Sequence, residues 1–231
     1  MTPASSQSLA RELYAPFRTL LPSFEGHFFW NKMGLPLSLQ RSLKEAMRAP
    51  TGVYKGTVGT LSSPHQLDHI RKVDVLTLPI AVVKEVTDLF TASVSVICEQ
   101  TFGMKANPCS PYGFFSYKAP GAHYTFHCDG GQVINGTQLN YDYPCRNISF
   151  VYYLNEDFEG GEFELAPREP IPSNILIHPK EDHFILFPSD VRYPHKVHPV
   201  THGERFAIVN WFSLQGQSDT SAPDFVGTHR T

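Results

Sequence analysis

The segment YPHKVHPVTHGER, which runs from Tyr193 to Arg205, combines three histidines with an arginine. Further upstream, the segment YTFHCDG places His127 and Asp129 two residues apart. Residues at that spacing on a β-strand project from the same face, so an imidazole and a carboxylate would lie side by side. Two histidines and one carboxylate form the facial triad that binds non-haem Fe(II) and leaves coordination positions open. A lone His-x-Asp pair is common by chance, so this interpretation depends on a third ligand from the histidine-rich segment.

The residues alone leave open which histidine would be that third ligand. Strand alternation places His195 and His198 on opposite faces, so at most one of them would face the first pair. His202 directly precedes Gly203 and is expected in a turn, where it would be exposed to solvent.

Arg205 is a candidate for binding a co-substrate next to such a metal. Open coordination positions suit O2 and an oxidisable keto diacid, whose far carboxylate would need a fixed partner. A guanidinium binds a carboxylate through two parallel hydrogen bonds. If Arg205 begins a strand, then Ala207, Val209 and Trp211 share its face and form a small-residue floor with one aromatic wall. The alternative is an exposed arginine at the end of a strand.

These residues lie in a region of short apolar runs that begins near residue 110. The runs are rich in Phe, Tyr, Val and Ile and are separated by Pro, Gly, Asn and Asp. The candidate strands are YGFFSY, AHYTFHC, ISFVYYLN, GEFELA, NILIHP, HFILFP, HKVHPV and RFAIVNWFSL. About eight strands at this spacing predict a sandwich, a jelly roll or a barrel.

The first 105 residues are expected to be partly helical and to support this β region. In LPLSLQRSLKEAMR, the residues Leu39, Leu43 and Met47 recur at a spacing that forms one helix face. The run LPIAVVKEVTDLFTASVSVICEQTFG also has helical spacing and ends at Gly103, a residue suited to a C-cap. Its apolar positions are Ile80, Val83, Val86, Phe90, Val94 and Ile97. The Gly- and Ser-rich segment TGVYKGTVGTLSSPHQ between them predicts a loop or a short hairpin.

Composition places the chain among globular proteins. It has 231 residues, of which 41% are hydrophobic and 18% are charged. A net charge of -3 with scattered signs gives no basic footprint for nucleic acid. No apolar run is long enough for a membrane span, and the N-terminal residues have no apolar core of a secretory signal. The four cysteines match no CxxC metal pattern, so we expect reduced thiols and a cytoplasmic location.

Four blocks between residues 117 and 214 occur in a fixed order. They read YKAPGAHYTFHCD, RNISFVYYLNEDFEGGEFEL, FILFPSDVRYPHKVHPV and THGERFAIVNWFSL. Together they resemble the 2-oxoglutarate- and Fe(II)-dependent oxygenases of the prolyl hydroxylase group, nearest to prolyl 3-hydroxylases and oxygen-sensing prolyl hydroxylases. One departure is the segment PKEDHF, because the family usually has a glycine in the turn before the FILFPS strand.

The resemblance implies that His127, Asp129 and His195 are the metal ligands. In the family, the distal histidine lies about ten residues before the basic residue that binds the co-substrate, a spacing that His195 and Arg205 match and His198 does not. These four residues are therefore the expected catalytic set.

The resemblance also implies the residues around the co-substrate and the substrate. Tyr117 and Tyr153 are expected to line the 2-oxoglutarate pocket with Arg205, and strand alternation then turns Tyr152 to the other side. The residues expected to border the substrate are Arg146, Trp211 and Tyr124.

The fold that follows from these observations is of the α+β class. It is a double-stranded β-helix, or jelly roll, of about eight strands with N-terminal supporting helices. We expect one oxygenase domain over residues 1–231, with helical support and substrate-side elements at 1–105, the catalytic core at 106–215 and a tail at 216–231. The segment from Gly130 to Arg146 is expected to be a mobile lid without secondary structure of its own.

The implied activity is that of a dioxygenase that hydroxylates an unactivated C–H bond and releases succinate and CO2. It would use Fe(II), 2-oxoglutarate and O2, with ascorbate as an optional reductant. We expect a small-molecule or amino-acid substrate, because no recognition domain or targeting signal is evident. The alternatives are a protein or peptidyl-proline hydroxylase and a non-catalytic metal-binding jelly roll, while a halogenase would lack the Asp129 carboxylate. No nucleic-acid or membrane partner is expected, and the oligomeric state is left open.

Overall fold

All eight segments that the sequence predicts as strands form strands in the computed structural model, which describes residues 28–60, 63–134, 137–140, 145–166 and 174–216. In chain order the elements are β1 Phe29–Lys32, α1 Leu37–Arg48, β2 Gly52–Lys55, β3 Val58–Thr60, β4 Ser63–His65, β5 Arg71–Lys72, β6 Asp74–Thr77, α2 Ile80–Phe102, β7 Met104–Pro108, β8 Gly113–Lys118, β9 His123–His127, β10 Gly131–Ile134, β11 Thr137–Asn140, β12 Ile148–Tyr153, β13 Glu159–Gly160, β14 Phe163–Leu165, β15 Ile175–Ile177, β16 His183–Pro188, β17 His195–Val197, β18 Val200–His202 and β19 Glu204–Gly216.

Two antiparallel sheets contain the predicted strands. The first has the order β1-β16-β12-β19-β8-β6-β2, and β7 pairs with a further part of β19. The second has the order β15-β14-β17-β9-β5. The predicted strands divide evenly, with β8, β12, β16 and β19 in the first sheet and β9, β14, β15 and β17 in the second. This arrangement is the predicted double-stranded β-helix, which is thereby confirmed.

Successive side chains of β12 lie on opposite faces of the first sheet. Val151 and Tyr153 pack between the sheets, where they meet Phe163 of β14. Phe150 and Tyr152 project from the opposite face and pack in the cluster that includes the helices. The two neighbouring tyrosines therefore point in opposite directions, as period-two alternation requires.

The two helices cover the outer face of the first sheet. In α1 the expected apolar residues Leu39, Leu43 and Met47 are all buried. The expected face of α2 is largely buried, although Val83 is only partly buried and Ile80 in the first turn is 81% exposed. The buried residues of this face are Val86, Phe90, Val94 and Ile97. The helix ends at Gly103, whose φ of 66° is the left-handed C-cap conformation that glycine favours. Neither described helix combines the length and apolarity that crossing a membrane requires.

The N-terminal half also supplies strands, of which the sequence predicted only a loop or a short hairpin between the two helices. β1 pairs with β16, β2 and β6 extend the first sheet beyond β8, and β5 pairs with β9 of the second sheet. The segment TGVYKGTVGTLSSPHQ holds β2 and the β3–β4 hairpin. These strands are two to four residues long, so their sequence is too short to show a clear period. Residues 1–27 lie outside the described part of the chain.

Asp182 makes the turn before β16, at the place where PKEDHF lacks the expected glycine. Its φ is 59°, a left-handed conformation that aspartate tolerates better than most residues. Its carboxylate accepts hydrogen bonds from the backbone N–H groups of Gly34 at 3.0 Å and Leu35 at 3.2 Å, and from the Tyr152 hydroxyl at 3.2 Å. The carboxylate thus ties the turn to the chain segment that precedes α1.

Phe90 of α2 provides a test of the helix–sheet interface. Its ring is fully buried, and its centroid lies 5.2 Å from that of Phe150 and 4.8 Å from that of Tyr152. Phe90→Ala should lower the free energy of unfolding by about 3–5 kcal/mol, because it leaves a cavity against the sheet. Urea denaturation measures the change. Leu37→Ala is the control, since Leu37 is 78% exposed and its loss should change stability by about 0.5 kcal/mol or less. Equal effects of the two substitutions would contradict the described packing.

Candidate metal and co-substrate site

The pairing of β9 with β17 places His127 opposite His195. Asp129 follows β9 in a bend and turns its carboxylate toward both rings. Its Oδ1 lies 3.8 Å from Nε2 of His127, and its Oδ2 lies 3.4 Å from Nε2 of His195. One candidate ligand atom from each residue falls within 4.8 Å of the others, a spacing that one metal ion can bridge. The structure therefore brings the expected ligands together, although Asp129 reaches the site through a bend rather than through strand alternation.

Backbone carbonyls orient both imidazoles. Nδ1 of His127 lies 2.8 Å from the carbonyl oxygen of Thr125, and Nδ1 of His195 lies 3.1 Å from that of Tyr193. A carbonyl oxygen can only accept, so each Nδ1 carries the proton and each Nε2 keeps a lone pair for a metal. Metal-binding histidines almost always make this outer hydrogen bond. Burial, with a smaller effect from His195, lowers the pKa of His127 to about 3, so the ring is neutral near neutral pH.

The carboxylate of Asp129 accepts a hydrogen bond from one hydroxyl group, which in turn contacts a second hydroxyl. The Ser149 hydroxyl donates to Oδ2 at 2.6 Å, and the Ser149 and Ser189 oxygens are 2.8 Å apart. Burial by itself would raise the pKa of Asp129, but the two imidazoles and the Ser149 hydroxyl lower it to about 2. The group is therefore ionised and oriented before any metal binds. Neither serine was assigned a role from sequence, because only the pairing of β12 with β16 brings them together.

Aromatic rings enclose the two histidines. The ring of Phe163 stacks on His195 with centroids 5.3 Å apart, and Phe187 meets the same imidazole at 4.8 Å and 74°. The ring of Tyr124 stacks on His127 with centroids 3.5 Å apart and an angle of 15°. Each imidazole therefore has little rotational freedom, because at least one face of its ring is covered by an aromatic ring.

Arg205 lies between the sheets and is only 1% exposed. It sits on β19 opposite Tyr117 of β8, and its guanidinium carbon is 4.7 Å from the Tyr117 ring centroid and 5.0 Å from that of Tyr153. Its Nε and Nη1 and the Tyr153 hydroxyl have no hydrogen-bond partner among the described residues. Burial raises the pKa of Tyr153, so its hydroxyl remains protonated and can donate. These unpaired donors fit a carboxylate such as the far end of 2-oxoglutarate.

Gly161 leaves the space that Arg205 occupies. Its φ is 67°, and a Cβ at this position would lie 3.0 Å from Cδ of Arg205. The backbone conformation and the close approach both favour glycine, so the hairpin sequence EGGEFEL is matched to the position of the arginine.

Trp211 and Arg146 lie at the edge of the metal site. The guanidinium carbon of Arg146 is 3.7 Å from the centroid of the Trp211 ring, and Nη1 donates to the backbone carbonyl of Asp129 at 3.2 Å. The indole is close enough to the Asp129 carboxyl to contribute to its lowered pKa. Its Nε1 meets no acceptor by hydrogen-bond geometry among the described residues. Both residues therefore lie beside the triad, and their expected place at the border of the substrate stays a prediction.

The other histidines lie away from the triad. Nε2 of His198 is 2.8 Å from a carboxylate oxygen of Glu164, so His198 is half-buried and paired rather than fully solvated. His202 is exposed at the end of β18, not in the turn itself. Tyr124, which is expected to border the substrate, stacks on the metal-ligand candidate His127, and its contact with a substrate stays a prediction.

The segment from Gly130 to Arg146 contains more structure than expected. Strands β10 and β11 pair as an antiparallel hairpin, which corrects the expectation of a segment without secondary structure. Residues 135–136 and 141–144 lie outside the described ranges, so the predicted lid motion stays a prediction.

Comparisons with known proteins agree with the geometry. Residues 112–213 match the family model described as the 2OG-Fe(II) oxygenase superfamily, whose name includes the two cofactors that the sequence predicted. A stretch of 72 residues is 40% identical to prolyl 3-hydroxylase 2 of Rattus norvegicus, and one of the same length is 38% identical to prolyl 3-hydroxylase 1 of Gallus gallus. Each match covers 31% of this chain and 10% of the relative, so the chain aligns with about a tenth of the length of these curated relatives.

Two solved structures show the same fold. A prolyl hydroxylase from Trichoplax adhaerens, in complex with a hypoxia inducible factor peptide fragment, superposes with a TM-score of 0.64 at 21% identity over 90% of each chain. A prolyl-4-hydroxylase from Pseudomonas putida gives 0.56 at 19% identity over 90% of this chain and 100% of the other.

The two histidines three residues apart give a direct test of the ligand set. His195→Ala should yield protein without stoichiometric iron, because it removes one of three ligands and the oriented Nε2. His198→Ala should bind iron as the unchanged protein does, since it breaks only a partly exposed pair with Glu164. Iron content after anaerobic loading and desalting measures both. Loss of iron in His198→Ala with retention in His195→Ala would reverse the assignment and the register of β17.

Proposed function

We propose, from the premise that residues 112–213 are a domain of the 2OG-Fe(II) oxygenase superfamily, that this protein hydroxylates a prolyl residue of a peptide. The reaction is R–H + 2-oxoglutarate + O2 → R–OH + succinate + CO2. One oxygen atom enters the alcohol and the other enters succinate, so atoms and electrons balance without an external reductant in a coupled turnover.

The unpaired guanidinium of Arg205 is the observation that carries the catalytic part of the proposal. A buried cation without a partner is costly, by several kcal/mol in proteins. Two of its nitrogens and the Tyr153 hydroxyl lack partners among the described residues, and a dicarboxylate co-substrate would supply acceptors for all three. A module that only binds metal would have no use for this arrangement.

Each part of the site has a separate role in this reaction. His127, Asp129 and His195 would hold Fe(II), which supplies the oxidative chemistry when bound. Arg205 and Tyr153 would bind the far carboxylate and so fix the direction from which 2-oxoglutarate enters. The aromatic rings around the imidazoles exclude water from that side of the site, and the hydrogen bonds to Thr125 and Tyr193 keep both Nε2 atoms aimed inward.

Two observations support a prolyl substrate over the small molecule or free amino acid first expected. The curated relatives matched by the chain are named prolyl 3-hydroxylases. In the structure, the Trp211 indole lies at the edge of the candidate metal site, beside Asp129 and Arg146. An indole offers a flat apolar surface against which a pyrrolidine ring can pack.

Arg205→Ala should weaken 2-oxoglutarate binding strongly while iron stays bound. Losing one partner of a buried ion pair costs about 3–5 kcal/mol, which is roughly two to three and a half decades in the dissociation constant. Calorimetric titration of the Fe(II)-loaded protein under argon measures the change.

Arg41→Ala is the matched control, because Arg41 is an exposed arginine on α1. It should bind 2-oxoglutarate as the unchanged protein does. Unaltered binding in Arg205→Ala would mean that another residue holds the far carboxylate.

The substrate class is tested by succinate release and product mass. Proline-containing peptides should stimulate succinate formation and gain about 16 Da, the mass of one oxygen atom, whereas the same peptides with alanine at the proline should not. Stimulation by free L-proline or another small molecule alone would replace the peptide assignment. If the protein binds iron but none of these peptides or small molecules stimulates succinate formation, the result would favour a non-catalytic metal-binding module.

A further inference from the structure

We propose that Arg71 is a positioning residue for the metal-ligand candidate His127, and that it acts through the ring of Tyr124. This inference rests on the proposed function, because it concerns a ligand of the proposed metal. It assigns a role to a residue of the N-terminal half that no sequence pattern singled out.

Three side chains form a layered stack. The guanidinium carbon of Arg71 lies 4.8 Å from the ring centroid of Tyr124. The Tyr124 ring lies nearly parallel to the imidazole of His127, with centroids 3.5 Å apart. A guanidinium within about 6 Å of an aromatic centroid is attracted to the ring electrostatically. The imidazole is thus held on one face by a ring that is itself held in contact with a cation.

A β-bulge makes this stack possible. Residues three apart on a regular strand face opposite sides, so Tyr124 and His127 would not meet. In the pairing of β9 with β17, His127 lies opposite His195 whereas Tyr124 lies opposite Val197, so three steps on β9 match two on β17. The extra residue turns both rings to the same side, as bulges beside active sites often do.

Arg71 is itself held from several directions. It pairs with Tyr124 across β5 and β9, and its Nη1 donates to the backbone carbonyl of Thr57 at 2.9 Å. Its guanidinium carbon also lies 4.9 Å from the ring centroid of Phe115. Its Nε is buried and has no hydrogen-bond partner among the described residues. The charge is therefore directed to aromatic rings rather than to a carboxylate.

Gly56 leaves room for this arrangement. A Cβ at Gly56 would lie 2.5 Å from a methyl group of Val73 and 3.3 Å from Nε of Arg71. The chain between β2 and β3 therefore packs directly on the arginine. A segment of the N-terminal half therefore packs on Arg71, Arg71 packs on Tyr124, and Tyr124 packs on the candidate metal ligand His127.

The test measures metal affinity separately from folding. Arg71→Gln keeps a donor for the Thr57 carbonyl and removes the cation, and Tyr124→Leu removes the ring. Each should weaken Co(II) binding to the metal-free protein by about tenfold, the lower end of what loss of an outer partner causes at metal sites. Calorimetry gives the Co(II) dissociation constant, the visible absorption of bound Co(II) reports its geometry, and urea unfolding of the metal-free protein reports stability.

Three further variants separate positioning from general stabilisation. Arg71→Lys retains a cation and should recover most of the affinity, and Tyr124→Phe retains the ring and should bind Co(II) normally. The double variant Arg71→Gln/Tyr124→Leu should bind no more weakly than the weaker single variant, because both act through one stack. Lys72→Gln is the matched control, since this exposed lysine of β5 contacts only the Pro120 carbonyl among the described hydrogen bonds.

The outcomes distinguish this proposal from the proposed function. Unchanged Co(II) affinity and absorption in both single variants, with only lower stability of the metal-free protein, would overturn the positioning role alone. An equal loss of affinity in Lys72→Gln would do the same. Failure of the unchanged protein to bind Co(II) would contradict the proposed function, and this inference with it.

Discussion

The guanidinium of Arg205 is buried between two sheets, and two of its nitrogens find no acceptor among the described residues. Removing a charge from water is tolerated only when something compensates for the lost hydration. The Tyr117 and Tyr153 rings compensate in part, because an aromatic face attracts a cation. We propose that a dianionic co-substrate supplies the missing acceptors, so that this costly buried cation would select what binds beside it.

Strand pairing fixes the distance between Arg205 and the candidate metal site. Arg205 and Trp211 lie on the same face of β19, and that strand pairs with β8 and β12 on its two sides. The triad lies on the second sheet, with Ser149 of β12 reaching across to the Asp129 carboxylate. The hydroxyl is therefore a direct polar link between the two sheets at the site. A fold that supports the geometry from both layers can keep its metal ligands oriented before the metal arrives.

Apolar runs between turn residues were enough to predict the eight core strands, and helical periodicity was enough to predict both helices. These signals did not predict β1, β2, β5 and β6, which depend on their sheet partners, whereas β3 and β4 form a hairpin where a loop or a short hairpin was expected. In the site, residue types and spacings made His127, Asp129 and Arg205 candidates, whereas the choice of His195 over His198 came from the family resemblance. The bend that turns Asp129, the bulge that stacks Tyr124 on His127 and the Asp182 turn all depend on register between distant strands. A single sequence does not contain that register explicitly.

We propose that one site binds both Fe(II) and 2-oxoglutarate, through the triad and through Arg205. The most direct test is the dissociation constant of 2-oxoglutarate, measured under argon with and without one equivalent of Fe(II), in the unchanged protein and in Asp129→Ala. We expect Fe(II) to tighten 2-oxoglutarate binding by at least about tenfold, or 1.4 kcal/mol, and Asp129→Ala to remove this effect. Equal affinity for 2-oxoglutarate with and without Fe(II) in the unchanged protein would contradict it.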